Sequence, residues 1–284
     1  MAVINNYEVL GHFFIKNKPF IKQYYFEHFH LLKVHERLKR GEFKGIDAFS
    51  ITDGVLCVLF LATEVGIQIY CNGFNEDMID LLYKRVAERY TYTNIRISGH
   101  KGVILALLKK YDLPYEVEKD RIIYETDKVL PLKKKHLGKA VKSGSEDFEK
   151  LVQYSYDYSL EEWGEREGRG IDYVQGMVWH LIQEGNLLQY DTSYGIGCIA
   201  QILNLEDRLP IIGSLYTPKE SRGKGYATML VHAATKKLLE GGFSKCGIIS
   251  DTTNPATNKL FKNVGYIPVY EHLAVLCRAF KGAI

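Results

Sequence analysis

The feature that most constrains this chain is an order of elements that occurs twice. From about Tyr7 the pattern of apolar residues gives helices, a hairpin, a helix, a short strand, a helix and a strand. From about Phe148 the same order returns at low sequence identity, as an internal duplication would leave it. In the first pass, Phe13, Phe14, Phe20, Tyr24, Tyr25, Phe29 and Leu32 recur at helical spacing over Tyr7–Arg40, with a break expected near Pro19. Val55–Thr63 and Gly66–Cys71 suit a hairpin. Asn75–Tyr90 is an amphipathic helix with Met78, Ile79, Leu82 and Val86 on one face; Asn94–Ser98 is a short strand. Lys101–Tyr111 is a second helix, and Arg121–Thr126 a further strand.

In the second pass, helices over Phe148–Glu184 precede strands at Asn186–Tyr190, Gly197–Leu205 and Leu209–Thr217. A long helix follows at Gly225–Leu239, then a strand at Cys246–Ser250, a helix at Pro255–Val264 and a final strand or strand pair at Tyr266–Cys277. Asn254 suits the cap of that last helix, Pro255 its first position and Gly265 its end. The stretch between the passes is polar, carries Lys133–Lys135 and contains Pro131. The expected division is therefore 1–130, a linker at 131–145, and 146–284. The fold class is α+β with a mixed sheet.

Bulk properties exclude several classes. A net charge of +3 is too small for a dedicated nucleic-acid binder. Hydrophobic content of 46% and charged content of 25% suit a soluble globular chain. No apolar run approaches the ~20 residues that span a bilayer, and the N-terminus lacks the pattern of a signal peptide. A cytoplasmic location, with no membrane and no nucleic acid as partner, is the expectation. Cys57, Cys71, Cys198, Cys246 and Cys277 are scattered without a metal-binding spacing, so buried free thiols and no metal are expected.

The two passes differ where the strand of the hairpin gives way to the next helix. The first has Cys71-Asn-Gly-Phe-Asn-Glu-Asp-Met78, an acidic turn. The second has Ser221-Arg-Gly-Lys-Gly-Tyr-Ala227, with two glycines and two cations. A helix N-terminus offers unpaired N–H groups and a partial positive charge, and glycines let a phosphate approach the backbone. This turn reads as a pyrophosphate cradle. It does not follow the P-loop pattern, and the dinucleotide pattern begun at Gly223 and Gly225 meets Thr228.

Arg222-x-x-Gly225-x-Ala227, after a strand and opening a helix, resembles motif A of the GNAT superfamily of N-acetyltransferases. Asn254 through Tyr266 resembles the next GNAT element in the right order and separation. The resemblance implies two tandem GNAT-like domains, the N-terminal one degenerate and binding no CoA. It implies acetyl-CoA or CoA as co-substrate, in a cleft between Leu209–Thr217 and Cys246–Ser250. Amides of Leu215, Tyr216 and Thr217 would run along the pantetheine arm. Those of Arg222, Gly223, Lys224, Gly225, Tyr226, Ala227 and Thr228 would hold the pyrophosphate. Asn254, Asn258 and Phe261 would line the other wall.

The implied reaction is direct attack on the thioester by a primary amine, on a small molecule or a peptide. Many members carry Tyr where this chain has Phe261, so Tyr216 and Tyr266 are the candidate proton donors, with Tyr226 also near in sequence. Glu184, Asp191, Glu206 and Asp251 are candidate bases; His180 suits a packing role better. A CoA-binding module without catalysis is the alternative, and a site for another pyrophosphate such as NAD or ATP a third. Neither the acceptor nor the oligomeric state is written in these motifs.

Overall fold

The computed structural model describes residues 1–89, 94–132, 137–167, 169–203 and 209–278. Its elements run β1 (Val3–Asn6), α1 (Leu10–Gln23), α2 (Phe29–Lys39), β2 (Gly45–Asp53), β3 (Leu56–Thr63), β4 (Gly66–Cys71), α3 (Glu76–Arg89), β5 (Ile95–His100), α4 (Lys101–Tyr111) and β6 (Tyr115–Thr126). They continue with β7 (Lys139–Lys142), α5 (Phe148–Glu167), α6 (Ile171–Gln183), β8 (Leu187–Thr192), β9 (Gly195–Leu203), β10 (Ile211–Tyr216), α7 (Tyr226–Glu240), β11 (Cys246–Asp251), α8 (Pro255–Val264) and β12 (Ile267–Cys277). Leaving short 3-10 turns aside, β-α-α-β-β-β-α-β-α-β is completed at β6 and again at β12. The duplicated order is thus a property of the fold, and the class is α+β.

The chain forms two compact units that interleave in sequence. The first comprises Met1–Ile123, Asp251–Thr253 and Val269–Ile284, the second Tyr124–Ser250 and Asn254–Pro268. In the first, strand order is β1-β2-β3-β4-β5-β12. The last strand of the chain pairs antiparallel with β5, from His272↔His100 to Cys277↔Ile95. The core of this unit gathers Phe49, Phe60, Ile69, Met78, Leu82, Ile97, Val103, Leu107 and Val275. The expected helix faces of α3 and α4 are the ones buried.

In the second unit strand order is β11-β10-β9-β8-β7. β7 forms within the stretch expected as linker and pairs antiparallel with β8; Lys133–Lys135 lie outside the described residues. One face packs Leu151, Val152, Tyr154, Val174 and Val178 of α5 and α6 against Leu187, Ile199 and Tyr216.

Two local expectations are corrected. Helix α1 runs through Pro19 and ends at Tyr24 instead. Pro19 removes the bond that Ile15 would accept, and Ile15 is exposed, so water can serve its carbonyl. Strands β1 and β2 add to the expected elements. β2 begins with exposed and half-buried positions before its buried run, which blurs the period-two signal.

Candidate functional site

The second unit opens a cleft between two parallel strands. β10 and β11 pair at Ile211↔Gly247 and Ile212↔Ile248 and nowhere beyond. On its other side β10 stays with β9, but the register shifts between Gly213 and Tyr216. Ser214 adopts φ 48°, a left-handed conformation rare for a residue with a side chain. The extra residue bends β10 and turns its C-terminal half away from β11. A length of strand edge is left for a ligand to line.

The expected anion turn lies just past the end of β10. Gly223 has φ 75° and Gly225 φ 81°. These are the left-handed values that glycine adopts without strain. Among the described residues no side chain caps α7, and no acidic residue stands in its first turn. The amide donors of that turn therefore face outward with the positive end of the helix dipole behind them.

The corresponding features of the first unit are closed. β4 and β5 remain paired through Ile69↔Gly99, and a Cβ at Gly99 would stand 1.7 Å from the Ile69 carbonyl oxygen. The β3–β4 ladder has no register shift. The N-terminus of α3 is already capped, since Met78 N donates to Asn75 Oδ1 at 3.0 Å, and Glu76 and Asp77 occupy its first turn. An anion there would meet no free cap and two carboxylates.

Arg222 acts differently from a simple local charge. Its Nε donates to the Thr217 carbonyl at 2.9 Å, and one terminal nitrogen lies 2.7 Å from both carboxylate oxygens of Glu161 on α5. The guanidinium thus splints the end of β10, the glycine turn and α5. No local pattern points to Glu161, which stands 61 residues away. Lys224 is exposed on the turn itself.

The tyrosine candidates separate. Tyr216 is buried beside Tyr154, with ring centroids 5.8 Å apart. Burial pushes its phenol up to about 12, reinforced by the carboxylates of Asp157 and Glu161. Tyr266 is buried in the core with its hydroxyl 2.7 Å from Thr235 Oγ1. Thr235 donates its own proton to the Val231 carbonyl, so Tyr266 donates to Thr235; burial holds its pKa above the ordinary phenol value. Tyr226 stacks on Tyr190 at 5.6 Å.

On α8, Asn254 Oδ1 accepts from Thr257 N at 3.2 Å, the expected N-cap. Pro255 follows, and Gly265 at φ 120° closes the helix. Thr257 Oγ1 meets Ser250 Oγ at 2.7 Å, which sets the first turn of α8 beside the part of β11 that lies past its pairs with β10. Phe261 is buried against Tyr124, centroids 5.8 Å apart, and Tyr124 O–H donates to Asn258 Oδ1 at 3.0 Å.

The candidate bases are dispersed. Asp191 accepts from Gln189, Asp251 accepts from Thr253, and Glu184 ends α6. His180 is exposed, which corrects its expected packing role. Glu206 lies outside the described residues. Among the described residues no group of three or more His, Cys, Asp or Glu could hold a metal ion.

Residues 153–266 match the acetyltransferase (GNAT) family. No curated protein matches the chain. Its fold is shared with an acetyltransferase of the GNAT family from Colwellia psychrerythraea, at TM-score 0.58 and 13% identity over 98% of this chain and 100% of that one. A GCN5-related N-acetyltransferase from Sphaerobacter thermophilus is similar at TM-score 0.54 and 13% identity, over 85% and 84% of the two chains. At these identities the likeness concerns the fold. The segment 153–266, which matches the GNAT acetyltransferase family, contains the splayed strands, within a chain that completes the same element order twice.

Proposed function

We propose that this protein transfers an acetyl group from acetyl-CoA to a primary amine on a small molecule or a peptide, by direct attack while both are bound. The observation that carries the reading is the opening of β10 from β11 beyond Ile212, directed toward an uncapped helix preceded by two left-handed glycines. Bound acetyl-CoA would supply the activated acyl group. The pyrophosphate would take the amides from Arg222 to Thr228, and the pantetheine arm those of Leu215, Tyr216 and Thr217 as an added strand. Asn254, Asn258 and Phe261 would form the facing wall. An N–H of bent β10 would meet the charge that develops on the carbonyl oxygen.

Tyr216 is the better placed of the two proton-donor candidates, because the Tyr266 proton is committed to Thr235. A phenol raised to about 12 keeps its proton at neutral pH and can give it to a departing thiolate. As copies along the chain, 1–130 and 146–284 hold the bulk of the duplicated halves, with β7 in the joining stretch 131–145 opening the second, and the first binds no CoA. Five buried free thiols suit a reducing compartment, and we place the protein in the cytoplasm.

The test is calorimetric titration of acetyl-CoA, with NAD and ATP as controls, followed by release of CoA thiol in a screen of amines. One-site binding of acetyl-CoA in preference to the controls, and thiol release with at least one amine, is expected. Preference for NAD or ATP would overturn the reading; CoA binding without turnover on any amine would reduce it to a binding module.

A further inference from the structure

One face of α5 runs along Tyr216, which lies on the part of β10 that has left β11. Tyr154 packs its ring 5.8 Å from that of Tyr216. Two turns further along α5, Glu161 holds Arg222, whose guanidinium carbon stands 5.9 Å from the Tyr216 ring centre. Asp157 falls between Tyr154 and Glu161 on the same face, since residues three and four apart are neighbours on a helix. After burial, the charge of Asp157 does most to raise the Tyr216 phenol, ahead of that of Glu161.

The two carboxylates differ in what they are left to do. Glu161 is paired with Arg222. Asp157 is half-buried, accepts from Gln153 Nε2 through Oδ1 at 2.8 Å, and pairs with no described cation. Tyr216 is only 6% exposed, and its hydroxyl bonds to no described residue. A phenol without a partner and an uncompensated carboxylate thus stand together beside the open part of the cleft, where polar groups need a ligand or water to serve them.

A carboxylate at this place selects a cation. It serves the reacting nitrogen poorly, because attack needs a neutral amine and a carboxylate in contact holds the proton on. It suits a second positive group on the same acceptor. We propose that Asp157 is a specificity-determining residue that binds a second ammonium group of the acceptor, so that the acceptor is a small diamine whose other end reacts beside Tyr216. This rests on the proposed acetyl transfer. It narrows the acceptor from primary amines at large to those that carry two positive charges.

The experiment uses the full chain with acetyl-CoA and reads release of the CoA thiol. 1,4-Diaminobutane and 1,3-diaminopropane are each compared with the monoamine of the same carbon chain, n-butylamine and n-propylamine. The unaltered protein should favour the diamines in kcat/KM by about tenfold, the scale of one charge-assisted hydrogen bond. Asp157→Asn keeps the shape and the oxygen that accepts from Gln153, and removes the charge. It should raise KM for the diamines about tenfold, with kcat and both monoamines nearly unchanged. Asp157→Glu returns the charge and should recover part of the preference. Comparing each amine between variants cancels the different basicities of the amines. A loss shared equally by diamines and monoamines, as a merely structural role would give, overturns the proposal, and so does an unchanged preference in Asp157→Asn. Calorimetric titration of 1,4-diaminobutane into the coenzyme A complex makes the same comparison without turnover. Protein that binds coenzyme A but neither binds nor acetylates a diamine overturns the proposal and leaves the proposed function standing; protein that binds no coenzyme A removes the proposed function itself.

Discussion

Gly225 and Ser214 occupy the same backbone region for opposite reasons. At Gly225 the left-handed conformation is free of strain; at Ser214 it costs stability, by about 1–2 kcal/mol for an ordinary side chain. Ser214→Gly should therefore raise the denaturation midpoint, measured by urea unfolding, while leaving the bend in β10 in place. Gly225→Val should do the reverse, lowering stability by about 1–2 kcal/mol and weakening acetyl-CoA binding more than tenfold in calorimetry. The glycines of the turn are legible in the sequence because only glycine suits such positions well. Ser214 is not, since serine carries no mark of a positive φ. Nor is Glu161, whose partnership with Arg222 depends on α5 crossing the end of β10.

Helix α8 is the element whose local signals agree most completely. Asn254 caps it, Pro255 starts it and Gly265 stops it, and Phe261 and Val264 form its buried stripe. Asn254→Ala should cost about 1 kcal/mol, the usual worth of such a cap, read as a lower midpoint in urea. The loss would also loosen the first turn against Ser250, so acetyl-CoA should bind more weakly. Helix α1 shows the limit of local signals. Proline at position 19 argues for a break, but its missing bond falls on the exposed side of a helix whose Phe13, Phe14 and Ile21 are buried. Burial of those side chains, at about 1.5–3 kcal/mol each, outweighs one lost hydrogen bond.

At the scale of the molecule, the first unit holds a buried polar cluster that sets its response to acid. His28 is fully buried and held near pKa 4, because desolvation opposes its charged form despite a bond to the Tyr24 carbonyl. His272 is buried beside Tyr70 and His30, and burial together with the His30 and Arg121 charges holds it well below the usual range. In the unfolded chain these imidazoles take protons near pH 6.5. Between that pH and about 4 the unfolded state binds more protons, so stability falls as pH falls. Urea midpoints measured from pH 7 to 4 should decline, and His28→Gln should flatten the slope. The five thiols give a second global readout. All are buried, with burial raising each to about 11 or 12. A thiol reagent should label none of them in the native protein and all five after denaturation.

Period and punctuation depend on neighbours in the chain. That is why the duplicated element order, the glycine turn and the caps of α8 are written in the sequence itself. Three features depend on residues far apart in sequence. β10 leaves β11 because a bulge against β9 bends it. β12 joins β5 in the first unit although it is the last strand of the chain. Tyr124 meets Asn258 across 134 residues. Each is settled by which surfaces pack and which strand edges find partners, and long-range pairing leaves no period in a single sequence.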